Sequence, residues 1–173
     1  MSTLPATPCV TDEDIVRFLV AARDTIADVP FAWLATRSLD GGTNARAVRV
    51  HPGKPEQDEW TRRFLVRRGS RKVVEMTASP RVTLAFQHAS GDAYIALGGF
   101  SHLLEDRAEM RVLCSPDADR LFPAGFAEQH MIAVRLDVDR IEVHLRGVTR
   151  EPFGHGRTLL DRTDGRWRFI PDY

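Results

Sequence analysis

Short apolar segments, parted by turn and breaker residues, recur along this chain and point to a mainly β fold. Residues 31–36 form an apolar run of strand length. Leu39-Asp40-Gly41-Gly42 follows as a hairpin turn, because Asp-Gly accepts the backbone angles of a tight reversal. Residues 45–50 then alternate, with Ala45, Ala47 and Arg49 on one face and Arg46, Val48 and Val50 on the other. Residues 51–59, with two prolines, read as a loop, and 63–67 as a third strand. Strands at 81–88 and 93–104 come next. The second is interrupted by Gly98-Gly99, where a bulge or a close backbone approach is expected. Residues 132–136 and 140–146 are two further strands. Residues 158–161 and 167–170 flank Asp164-Gly165, a second hairpin signal.

Helical spacing is confined to three places. Thr11 is a suitable N-cap for a helix over 12–27, with Asp12, Glu13 and Asp14 in its first turn. Ile15, Phe18, Leu19, Ala22 and Ile26 give that helix one apolar face. Shorter helices are expected over 70–78 and 107–114. The segment 115–130 is irregular, with Phe122 and Phe126 as anchors, and residues 1–10 form a loose tail. Seven to nine strands with two or three helices fit a closed antiparallel barrel with helices packed outside.

At 173 residues the chain suits a single domain over 1–173, and no repeat or linker divides it. Lys+Arg and Asp+Glu are both 24, so the net charge is zero and nothing global favours nucleic acid or an anionic membrane. No apolar run approaches the ~18 residues of a membrane span. The acidic start argues against a signal peptide. Cys9 and Cys114 form no metal or redox motif, which fits a reduced, cytoplasmic setting. The histidines at 51, 88, 102, 130, 144 and 155 lack the spacing of zinc ligands, so no metal site is expected.

The stretch 69–86 carries the clearest chemistry. A Gly-Ser turn opens a short helix with Arg71 and Lys72 in its first turn. Cations are ordinarily favoured at the other end of a helix. Two of them beside unbonded N–H groups make a receptacle for an anion, most simply a phosphate. A merely solvated basic helix start is the plain alternative.

These residues carry a resemblance to a known family. Leu34-Ala35-Thr36, Asp40-Gly41, Arg46-Ala47-Val48 and His51 are followed by strand residues 64–66 and Ser70-Arg71-Lys72. A helix, Ser79-Pro80-Arg81, an apolar strand and a strand ending at Gly99 complete the series. In this order the chain resembles the pyridoxamine 5′-phosphate oxidase-like superfamily, the FMN-binding split barrels, and most closely their general stress protein 26-like branch. The resemblance implies a split β-barrel, antiparallel and Greek-key-like, with peripheral helices. It also implies a homodimer that holds FMN in two clefts between subunits.

The resemblance assigns roles residue by residue. Ser70, Arg71 and Lys72 would hold the flavin phosphate, and Arg46 would lie at the flavin. Val48 and Arg49 would line the site through their main chain. Leu65 and Val66 stand where the family has Tyr-Thr, and Tyr94 where the oxidases have a Gln near the ring. Arg157 would reach the flavin late in the chain. His51 replaces the Lys that binds substrate phosphate in the vitamin-processing oxidases. It could be a proton donor beside the flavin. Their later Tyr, Arg and Ser are not reproduced around Glu109 to Ser115 or over 116–129. The implied function is therefore an FMN-dependent oxidoreductase on an unidentified small molecule, with NAD(P)H as a candidate donor, and not pyridoxamine phosphate oxidation. Non-catalytic flavin binding, or a related barrel holding a deazaflavin or haem, are the alternatives. No catalytic residue is assigned.

Overall fold

A computed structural model describes residues 10–114, 126–149 and 158–171. Helix α1 (Asp12–Ala27) begins at a capping box. Thr11 Oγ1 accepts from the Asp14 amide at 3.2 Å, and Asp14 Oδ2 accepts from the Thr11 amide at 3.1 Å. Its buried face is Ile15, Phe18, Ala22 and Ile26, the spacing of one helical stripe.

Among the described residues nine strands form one sheet in which every pairing is antiparallel. They are β1 (Phe31–Arg37), β2 (Thr43–Arg49), β3 (His51–Pro52), β4 (Arg62–Arg67), β5 (Arg81–Gln87), β6 (Ala93–Leu104), β7 (Met131–Leu145), β8 (Thr158–Thr163) and β9 (Arg166–Ile170). Their order is β2-β1-β5-β6-β7-β4-β3, with the β8–β9 hairpin attached to β7. The barrel is therefore the split one that the resemblance implies, not the closed one that strand count suggests. Among the described residues no ladder joins β2 to β4, although the two strands lie beside each other.

Three further differences from the sequence reading have local causes. Residues 51–52, read as loop, form a short strand in which His51 pairs with Arg63. Residues 126–130, read as irregular, form a helical turn. The two expected strands at 132–136 and 140–146 are one continuous β7. Its interior charges do not break it. Val138 points into the core, while Asp139 is the extra residue opposite Gly98-Gly99. Asp139 holds Arg81 through both oxygens, at 2.7 and 2.8 Å. Phe122 lies outside the described residues.

The barrel interior is packed by Leu34, Phe64, Leu84, Leu97, Val134, Leu136 and Ile141, with α1 contributing Phe18 and Ile26. Helix α2 (Arg71–Ala78) joins β4 to β5. Helix α3 (Arg107–Leu113) lays Met110 and Leu113 on Leu65 and Ala133, and α4 (Phe126–His130) leads into β7. One sheet face is left uncovered. Phe31 and Trp33, read as part of a buried strand, are 55% and 56% exposed.

Candidate functional site

The site grows from the turn between β4 and α2. Gly69 sits at φ 69°, a left-handed conformation that glycine adopts without strain. It swings the chain from β4 into Ser70, the helix N-cap. An N-cap serine ordinarily accepts a hydrogen bond from the first helical turn. Ser70 Oγ makes no such bond, and it is buried without a hydrogen-bond partner among the described residues. The first turn carries no acidic residue and instead places Arg71 and Lys72 there. A phosphate would give the serine hydroxyl an acceptor and match both cations, so these residues fit that group.

One turn further along α2 lies Glu75, wholly buried. Its carboxylate accepts from Thr36 Oγ1 at 2.5 Å, Asn44 Nδ2 at 2.6 Å and Arg46 Nη2 at 2.6 Å. Arg71 Nε is 3.4 Å from its other side, and Arg71 Nη2 reaches Asn44 Oδ1 at 3.3 Å. Arg46 Nη1 also donates to Thr36 Oγ1 and to the Asn44 carbonyl. The Thr36 hydroxyl, with Arg46 and Asn44 behind it, outweighs burial and holds the Glu75 carboxyl below the usual glutamate range. Burial, and then the neighbouring Arg46, pull Lys72 below the usual lysine range. Arg46 and Arg71 thus contact the buried anion and Lys72 lies near Arg46, so the cluster holds three cations to one carboxylate.

The structure thereby gathers Arg46, Ser70, Arg71 and Lys72 around one point. Val48 shares the Arg46 face of β2 and is buried. Arg49 points to the opposite face, 6.0 Å over the Phe31 ring. The side chain of Val66 is in the barrel core and that of Leu65 packs under α3. The backbone is a different matter. Among the described residues β2 ends the sheet path and β4 beyond Arg63 pairs with β7 alone, so both turn an edge to the seam between them. The cationic start of α2 stands at that seam.

His51 is half-buried opposite Arg63. Burial first, then Arg49 and Arg63, push its pKa below the usual histidine value near 6.5, so the ring is neutral at neutral pH. A neutral ring holds one N–H and serves as a hydrogen-bond donor rather than as a strong acid. Tyr94 lies on the outer sheet face in a cavity of about 310 Å³ with Trp33, Gln87, Glu142 and His144, away from the Arg46 cluster. Arg157 lies outside the described residues. No group of three or more metal-ligating side chains occurs among them.

Sequence reasoning missed Glu75, Thr36 and Asn44. A hint existed in the four-residue spacing of Arg71 and Glu75. It also missed a second buried anion, Glu109, which takes Arg63 Nη1 at 2.6 Å and Lys54 Nζ at 2.7 Å.

An open antiparallel barrel with a cationic helix start at its seam defines a split barrel. The chain belongs to the pyridoxamine 5′-phosphate oxidase-like family, whose model matches residues 20–145. No curated protein matches it. Among solved structures it is similar to a protein from Clostridium acetobutylicum related to general stress protein 26 of B. subtilis, of the pyridoxinephosphate oxidase family. That match has 16% identity and TM-score 0.66, covering 84% of this chain and 94% of that one. It is also similar to a pyridoxamine 5′-phosphate oxidase-related, FMN binding protein from Nostoc punctiforme, at 18% identity and TM-score 0.64, covering 97% and 99%. A third is PhzG from Burkholderia lata in complex with tetrahydrophenazine-1-carboxylic acid, at 17% identity and TM-score 0.61, covering 98% and 96%.

Proposed function

We propose that this protein binds FMN at the β2–β4 seam and serves as an FMN-dependent oxidoreductase for a small molecule other than pyridoxamine phosphate. The observation that carries this reading is the buried, unpartnered Ser70 hydroxyl beside Arg71 and Lys72. Arg46, Ser70, Arg71 and Lys72 hold the phosphate, with Arg grasping two oxygens and Lys acting as a point charge. The facing edges of β2 at Val48 and Arg49 and of β4 at Leu65 and Val66 accommodate the ring system. Bound FMN supplies hydride or electron chemistry, with NAD(P)H as a candidate donor. Neutral His51 offers one N–H donor at the end of the seam. Tyr94, on the outer sheet face, would reach the site from a second subunit, so the functional unit proposed is a homodimer, with Arg157 as a further candidate flavin contact.

The test is titration with FMN, followed by reduction with NADH or NADPH. The protein should take up one flavin per chain with micromolar or better affinity, and the flavin absorbance should bleach on reduction. Arg71→Ala with Lys72→Ala removes two charge-assisted contacts of about 1.5–3 kcal/mol each. Arg71 also serves Glu75, so the lower end applies, a loss of roughly 150-fold. Unchanged titration in that variant would sink the phosphate assignment. Pyridoxamine phosphate should not be oxidised at ordinary enzyme rates of about 1 per second or more, because His51 stands where the substrate-phosphate lysine is needed.

A further inference from the structure

Arg62, the first residue of β4, carries a charge that the flavin reading leaves unused. It is only 4% exposed, yet it makes no ion pair among the described residues. Its Nη1 donates to the carbonyls of Glu59 at 2.7 Å and Thr61 at 2.9 Å, and the guanidinium lies 5.7 Å over the Trp60 ring. The donors on Nε and Nη2 have no acceptor among the described residues. They are not sealed in protein either. Arg62 lines a cavity of about 370 Å³ between the end of α1, Pro30, the β2–β3 junction and β4.

The cavity wall is apolar on most sides, with Ile26, Val29, Val50 and Phe86. Its polar rim is His51 and the Arg23–Glu59 pair, 3.7 Å apart. A buried guanidinium with no carboxylate in direct contact, Glu59 and Asp58 acting on it only through space, and lining an apolar chamber of ligand size, is a built half of a recognition pair. We infer that this cavity binds a small monocarboxylate with a short apolar body, the carboxylate taking the fork of Arg62 and the body lying on Ile26, Val29, Val50 and Phe86. A phosphate fits poorly here. Glu59 opposes a second negative charge, and the apolar wall cannot solvate it. The chamber is separate from the phosphate set, since none of Arg46, Ser70, Arg71 or Lys72 lines it. β4 itself divides the two neighbouring arginines. Arg63 turns to Glu109, whereas Arg62 turns to the barrel end under α1.

The probe is hexanoate, with hexanol as the uncharged body, titrated into the full chain and followed by amide NMR shifts. Hexanoate should move the Val29 and His51 amides saturably and leave those of Ser70, Arg71 and Lys72 in place. Hexanol should bind at least about tenfold more weakly, since a charge-assisted contact is worth about 10- to 150-fold. Arg62→Met should weaken hexanoate by a similar factor, and the exposed change Arg23→Glu should weaken it several-fold with Arg62 intact. Absence of saturable shifts, equal affinity for hexanol, or shifts confined to the phosphate set would overturn the inference. Should Arg62→Met not fold, the hexanoate-against-hexanol comparison on the unaltered chain decides alone.

Discussion

At the scale of single residues, Glu75 decides where the cations stand. Three donors from β1 and β2 and one from its own helix converge on it, and Arg46 and Arg71 are thereby aimed at the seam. Removing one partner of a buried ion pair costs about 3–5 kcal/mol. Arg46 keeps some solvent, so Glu75→Ala should fall toward the lower figure in a denaturant titration, with weaker FMN uptake. The pH dependence has a definite sign. The folded pKa of Glu75 is lowered, so its contribution is complete above the unfolded glutamate value and is lost as pH falls through the folded one. The stability gap between the natural chain and Glu75→Gln should be constant near neutrality and shrink below about pH 4.3. A gap that widens on acidification would contradict this. This hub was illegible in the sequence because its donors lie 39, 31 and 29 residues away and meet only after β1, β2 and α2 pack. Ser70, Arg71 and Lys72 were legible because a helix start is a local event.

At the scale of elements, the clearest device is the bulge between β6 and β7. The register shifts at Gly98/Gly99, and a Cβ on Gly99 would meet the Asp137 carbonyl oxygen at 2.2 Å. A Cβ on Gly98 would meet only the Arg140 side chain at 3.4 Å. Gly99→Ala should therefore destabilise by at least the 1–3 kcal/mol of an overpacked core, about twice or more the cost of Gly98→Ala. Equal melting shifts for the two variants would show that the strand relaxes freely. Helix α1 and the bulge could be read from sequence because capping, period and glycine all act within a few residues. The unity of β7 could not, because its continuity depends on Arg81 across the sheet neutralising Asp139. The opening of the barrel could not be read from strand count either, since closure depends on whether β2 and β4 pair.

At the scale of the whole molecule, the described residues leave a largely apolar sheet face exposed. Phe31, Trp33, Tyr94 and Phe100 stand on it, with Ala35, Ala45, Ala47, Ala85 and Ala96 between them in register. The alanines make the face flat enough for another sheet to lie against it, and the aromatics supply anchors of the kind that dominate interfaces. Exposed apolar patches of this kind mark association surfaces. Two copies of the same face meet about a two-fold axis without leaving either uncovered. In the proposed homodimer each subunit would bring its Tyr94 to the partner's outer face, where β2 forms the edge that borders the seam. Light scattering should give twice the chain mass at micromolar concentration, for an interface of roughly 2,000 Å². Trp33→Arg places a charge at the centre of that face while leaving the core side of β1 untouched, so the chain should still fold. It should give the monomer mass and, with Tyr94 no longer delivered by a partner, a lower flavin affinity. A Trp33→Arg chain that stays dimeric would locate the interface elsewhere, and a monomer that binds FMN undiminished would confine the flavin site to one subunit.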